Sequence, residues 1–239
     1  MKLIFLIFLI PLIKANKMLW IYETSNNTTI WNNIFTTLEN HKNIIDTISL
    51  CPYRVLENGT LGYQTSRGNE GKIMESKQPK MKEIGFKLVP LIDCKSLYAI
   101  RNLIYSSYTR ELFIKQAINK SLEYNLDGYN LDIELYGDST DGLAYTNFIN
   151  EFANELHKYN KTLSSDISNC NNSNVLMGMN CSLYKNSSID QVITMDTYTY
   201  NLKDFIFYVN KSSYELGNKF ICGLEMMNTY NISFEYELD

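Results

Sequence analysis

Seven strand-like runs alternate with helical or partly helical runs along the 239 residues, and no compositional linker separates them. The strand-like runs are 18–24, 44–51, 86–94, 126–135, 161–168, 190–200 and 219–227. Between them, 29–43, 141–160 and 202–218 have helical spacing. The long run 95–125 reads as helix with a break at Ser106 and Ser107, and 72–85 as partial helix broken near Pro79. Residues 57–71 read as a polar loop. Alternation of this kind specifies an α/β fold, a parallel sheet with crossover helices. A doubly wound sheet normally carries a glycine-rich phosphate loop after its first strand, and "YETSNNTT" is not one. A closed eight-stranded TIM barrel asks for one more strand than the sequence offers. The fold expected is therefore a (β/α)8-type barrel, apparently truncated after its seventh strand. Its first strand is expected to be left with an unpaired edge unless "NISFEYELD" folds back over it.

Hydrophobic content of 45% is enough for a core of this size, and a net charge of −4 without a basic block argues against a nucleic-acid partner. Lys2 precedes an apolar run from Leu3 to Ile13, followed by Lys14 and Ala15. The run is short for a membrane span and has the layout of a secretory signal, so 1–15 is read as a signal peptide and 16–239 as the domain. Ten N-x-S/T sequons, from Asn26 to Asn231, agree with export, although a chain this rich in asparagine produces some by chance. An exported chain can oxidise its cysteines. Cys51 with Cys94 and Cys170 with Cys181 are the expected pairs, with Cys222 reduced. With two histidines and no CxxC pair, neither a metal nor another cofactor is expected, nor a Ser-His-Asp triad.

The stretch "LDGYNLDIEL" (126–135) carries the chemistry. Alternate strand residues point to opposite faces, so Tyr129, Leu131, Ile133 and Leu135 share one face and Asn130, Asp132 and Glu134 the other. In a barrel the apolar set meets the helices and the polar set points inward. Acids rarely point inward unless paired or functional, and barrel enzymes keep their chemistry at the C-terminal strand ends, nearest Glu134.

"DGYNLDIE" resembles the D-G-x-D-x-D-x-E signature of glycoside hydrolase family 18, the chitinase family: Asp127, Gly128, Asp132 and Glu134 match, and Asn130 stands where most chitinases have Asp. That asparagine, "NKTLSSDIS" and "KFICGLE" make the chain most similar to the di-N-acetylchitobiase branch. The resemblance implies hydrolysis of β-1,4 bonds in N-acetylglucosamine oligosaccharides, from chitin or the N-glycan core, by substrate-assisted retaining catalysis. Glu134 would be the acid and then the base, its pKa raised by a neighbouring carboxylate. Asp132 would orient the acetamide, Asn130 would support Asp132, and Tyr198 would bind the acetamide. In "VITMDTYTY" that tyrosine comes one position later than in the family's M-x-Y-D motif, and "LVPLIDC" lacks its S-x-G-G. The family's eighth-strand tryptophan has no counterpart, since the two tryptophans are Trp20 and Trp31. A non-catalytic carbohydrate-binding relative, or an inactive fragment, is thus the alternative. The expected location is the secretory pathway, ending in the lysosome or outside the cell, with no membrane span beyond the signal. Oligomeric state is left open.

Overall fold

The structure is a computed structural model, and it describes residues 17–64, 69–170, 179–195 and 201–223. The signal segment, Tyr198 and the last sixteen residues lie outside that set. Ten strands and eight α-helices are described: β1 Met18–Ile21, α1 Thr28–Asn40, β2 Thr47–Leu50, β3 Tyr53–Val55, β4 Leu61–Tyr63, α2 Glu70–Glu75, α3 Gln78–Ile84, β5 Lys87–Leu88, β6 Leu91–Asp93, α4 Leu97–Ile104, α5 Ser107–Glu123, β7 Gly128–Asp132, α6 Ser139–His157, β8 Thr162–Ile167, α7 Cys181–Asn186, β9 Gln191–Thr194, α8 Leu202–Leu216 and β10 Phe220–Cys222.

Two prolines explain why nine of the ten strands make a seven-strand barrel wall. Pro52 separates β2 from β3, and Pro90 separates β5 from β6. Neither can donate to a ladder, but their carbonyls accept from Gln64 and Asn130. Each pair is one barrel strand bent at its proline. The wall therefore runs β1, β2 with β3, β5 with β6, β7, β8, β9, β10, all parallel and in chain order. Among the described residues no ladder joins β1 to β10.

The second barrel strand is also bulged. Ile48 pairs with Leu88 and Tyr53 with Ile92, so five steps on one strand oppose four on the other. An extra residue reverses which side chains face inward. Ser49 and Cys51 face the interior below the bulge, and Arg54 does so above it.

The apolar face of β7 meets the helices, as its alternation predicts. Tyr129, Leu131 and Ile133 are buried there. Tyr129 packs on Phe152, which stacks with Phe148, and Phe113 meets both phenylalanines edge-on. The Tyr129 hydroxyl donates to the Ala117 carbonyl at 2.7 Å. Truncating Phe148 or Phe152 to Ala would cost about 3–5 kcal/mol, since the ring leaves a cavity as well as lost transfer energy. Gly128 is fixed by close approach: a Cβ there would lie 2.1 Å from the Thr162 carbonyl oxygen of β8.

Local expectations are corrected at several points. Residues 57–71 are not all loop: β4 turns back antiparallel to β3. The 72–85 region is two helices, and Pro79 sits in the first turn of α3, where no N–H is needed. Helix α6 begins earlier than its spacing suggests, at Ser139, with Asp138 as its cap. Asp141 closes a capping box and receives Arg101 through two bonds and the Tyr105 hydroxyl through a third. These contacts hold the Asp141 carboxyl down at about 2, chiefly through Arg101. The helix break does fall where expected, with Ser106 capping α5.

Cys170 and Cys181 form a disulfide, with 5.7 Å between their Cα atoms. Cys222 forms no disulfide, as expected, and neither do Cys51 and Cys94, contrary to expectation. Strand alternation gives the reason. Asp93 faces the interior, so Cys94 beside it is turned outward into the core, whereas Cys51 lines the interior cavity.

Candidate active site

Adjacent strands bring three aspartates level at the C-terminal end of the barrel. Asp93 of β6 is in register with Asp132 of β7. One step beyond the Leu131–Ser165 pair, Asp132 stands beside Asp166 of β8. Each carboxyl has a different environment.

Asp93 is neutralised. It is 2% exposed and receives the Arg54 guanidinium through two bonds of 2.7 Å. The Gln64 amide donates at 3.1 Å, and the Lys95 ammonium lies 3.5 Å away.

Asp132 is half-buried, and its Oδ1 has no hydrogen-bond partner. Loss of water pushes this carboxyl up to about 7, with repulsion from Glu134 as the second cause and Asp93 a smaller one; Lys95 opposes them. Glu134 lies two residues past the end of β7 and is exposed.

Asn130 is fully buried and oriented at both ends. Ser164 of β8 donates its hydroxyl to the Asn130 Oδ1 at 2.6 Å, and the Asn130 Nδ2 donates to Asp166 Oδ2 at 2.6 Å. Its side-chain bonds thus run to Ser164 and Asp166 of β8, where the family resemblance implied support of Asp132. Asp127 stands at the other end of the strand. It accepts from Lys82 at 2.6 Å and from the Leu88 N–H at 2.7 Å, tying β7 to α3 and β5. Its place in the motif is structural. Tyr198 lies outside the described residues.

A cavity of about 440 Å3 opens beside Asp132, toward the first two barrel strands. Its walls include Trp20, Ser49, Arg54, Gln64, Asp93 and Lys95. Trp20 Nε1, Ser49 Oγ, Gln64 Oε1 and Asp132 Oδ1 are all buried without a partner. Unpartnered buried polar atoms are uncommon in folded proteins. Four of them on one cavity leave donors and acceptors set for a polar ligand. Cys51 also lines this space. Burial, Asp93 and Asp132 push its thiol up to about 12, so it is not a thiolate nucleophile.

Against solved structures the match is extensive. A chitinase of Chromobacterium violaceum superimposes with a TM-score of 0.69 at 10% identity, over 88% of this chain and 68% of that one. A class V chitinase of Pseudomonas fluorescens gives 0.69 at 14%, over 87% and 68%. The Bacillus cereus spore cortex-lytic enzyme SleL gives 0.69 at 12%, over 87% of this chain and 50% of that one.

The fold is the chitinase-type barrel.

No family model matches the chain, and no curated protein does. At these identities the likeness concerns the fold. It covers about two thirds of the two chitinases and half of the cortex-lytic enzyme. In a chitinase-type barrel the C-terminal strand ends form the working face. Asp93, Asp132, Glu134 and Asp166 stand at or just past those ends here.

Sequence reasoning missed Arg54, Gln64, Asp93, Lys95, Trp20 and Asp166. Asp166 had a signal. Ser164 and Asp166 alternate with Leu163 and Ser165 in "LSSDI", a fainter form of the pattern on β7. Arg54 had none, because it lies beyond Pro52 and the bulge.

Proposed function

We propose that the chain is a glycosidase that hydrolyses β-1,4 bonds in N-acetylglucosamine oligosaccharides, with the substrate's own acetamide oxygen as nucleophile. The observation that carries this reading is the Asp132 carboxyl: half-buried, unpartnered on one oxygen, pushed to about 7, and followed by Glu134 at the mouth of a chitinase-type barrel. Glu134 is exposed just past the C-terminal end of β7, where it can protonate a leaving oxygen and then activate water. Asp132 is placed to take the acetamide N–H and to balance the positive charge on the developing oxazolinium ring. Asn130 acts one step behind, through the β8 side chains. Tyr198 is retained as an acetamide-binding hydroxyl. The chitobiase branch is the proposed closer kinship, resting on Asn130.

Export by the 1–15 signal, to the lysosome or outside the cell, is part of the same proposal. The Cys170–Cys181 disulfide supports it, because such bonds persist in oxidising compartments. Among the described residues no helix is long and apolar enough to cross a membrane.

A sugar-binding role without turnover is the competing reading. Glu134 is not among the residues lining the cavity, whereas four unpartnered polar atoms are. Substrate assistance separates the two. A chromogenic chitobioside is expected to be cleaved and the matching cellobioside, which lacks the acetamide, left intact. Equal cleavage of both would refute substrate assistance. Binding of chitobiose without cleavage would establish the sugar-binding role.

A further inference from the structure

Asp166 is a carboxyl with no cation. It is 3% exposed, and among the described residues no ion pair reaches it. Its Oδ2 accepts from the Asn130 Nδ2, while the Asn130 Oδ1 takes the Ser164 hydroxyl. Its Oδ1 is buried and has no partner. The neighbouring strand β7 holds another unpartnered carboxylate oxygen, Oδ1 of Asp132. Two bare carboxylate oxygens on neighbouring strands repel, and a single proton satisfies both.

We propose that Asp166 is a positioning residue held as a neutral carboxylic acid, whose Oδ1–H donates to Asp132 and sets the direction in which that carboxylate faces the substrate. The role rests on the reading of Asp132 as the acetamide-orienting group. Asn130 dictates which oxygen carries the proton, because Oδ2 is already an acceptor. Asp166 is the more deeply buried of the two, 3% exposed beside a half-buried Asp132, so the pair's proton resides on the β8 side. Burial favours this protonated form most strongly, and the charge on Asp132 adds to it.

The titratable groups around the pair come from each neighbouring element. Glu134 follows β7, Asp93 and Lys95 stand on the β6 side, and Cys51 lies across the cavity from Asp132. Tyr145 of α6 and Tyr184 of α7 approach through Ser165. The β9 residues alongside, Ile193 and Thr194, bring no titratable group.

Infrared difference spectroscopy at pH 7, wild type against Asp166→Asn, reads the protonation directly and needs no substrate. The wild type is expected to show the carbonyl stretch of an un-ionised acid, shifted in D2O and missing from the variant. Asp166→Ser gives the same readout if the asparagine variant does not fold. Its absence from the wild type would overturn the proposal, whatever the enzyme does to sugars.

The kinetic arm concerns positioning. Asparagine is the neutral isostere of the acid and still offers a donor. Asp166→Asn is therefore expected to keep most of kcat and leave the acidic limb of the pH profile in place. Asp166→Ala is expected to lose about 10-fold or more in kcat with little change in KM, the scale of one hydrogen bond to a charged group. An acidic limb moved to lower pH in Asp166→Asn would mean that an ionised neighbour had been removed, and equal rates in the alanine variant would remove the positioning role. Loss of all turnover on chitobioside in the wild type counts against the hydrolase reading instead, and the infrared result stands apart from it.

Discussion

The Arg54 guanidinium holds the Asp93 carboxylate through two parallel bonds of 2.7 Å, one strand away from Asp132. The pair keeps a buried negative charge from adding fully to the row of carboxyls. Fork-to-fork geometry is specific to arginine. Arg54→Met is expected to lower the unfolding free energy by about 3 kcal/mol, because a buried carboxylate then loses its main partner. Arg54→Lys restores part of this at best, since a lysine offers a point charge and no fork. Urea denaturation of the three proteins checks both statements, and equal midpoints would show that Lys95 and Gln64 suffice.

Asp132 makes stability fall as pH rises. Its folded-state carboxyl titrates at about 7, above the ordinary carboxylate range. Between about pH 4 and that value the folded chain holds a proton that the unfolded chain has released, so the slope of stability against pH is negative and flattens above it. Asp166 contributes with the same sign. Asp132→Asn should remove part of the slope and be more stable than the wild type at pH 8, by on the order of 2 kcal/mol. Thermal melts from pH 4 to 8 test this; parallel curves for the two proteins would contradict it.

Trp20 supplies the cavity with an aromatic wall from the first strand, in register with Ser49. The family resemblance asked for a tryptophan on the eighth strand, which the sequence lacks. Trp20→Ala is expected to weaken chitobiose binding by about 1–3 kcal/mol, the scale measured for bases stacked on aromatic side chains. Calorimetry on both proteins decides it, and unchanged affinity would make Trp20 a wall of the barrel only.

Period-two alternation made β7 legible. Tyr129, Leu131 and Ile133 had to pack outward once Asn130 and Asp132 pointed in, and the helices confirm it. The parallel order of the strands was legible for another reason, the alternation of strand-like and helical runs along the chain. What stayed hidden arose where a strand departs from strict period. Pro52 and the bulge put Arg54 inside, and no reading of "SLCPYRV" as a plain strand could do so. The Cys51–Cys94 pairing failed because spacing along the chain does not reveal which face a residue occupies. Asn130 was correctly placed inside, but its partner on β8 depends on register between strands, which one strand's sequence does not contain. The short α7 was masked by a cysteine- and asparagine-rich segment without helical periodicity.

The central claim is that Glu134, beside Asp132, is the proton donor of a substrate-assisted glycosidase. Turnover of a chromogenic chitobioside by wild type and Glu134→Gln, with folding of both verified by circular dichroism, tests it most directly. The wild type is expected to cleave it, with kcat at least about 100-fold lower in the variant, the usual scale for loss of a general acid. Near-normal turnover in Glu134→Gln, or a folded wild type that binds chitobiose and never cleaves it, would contradict it.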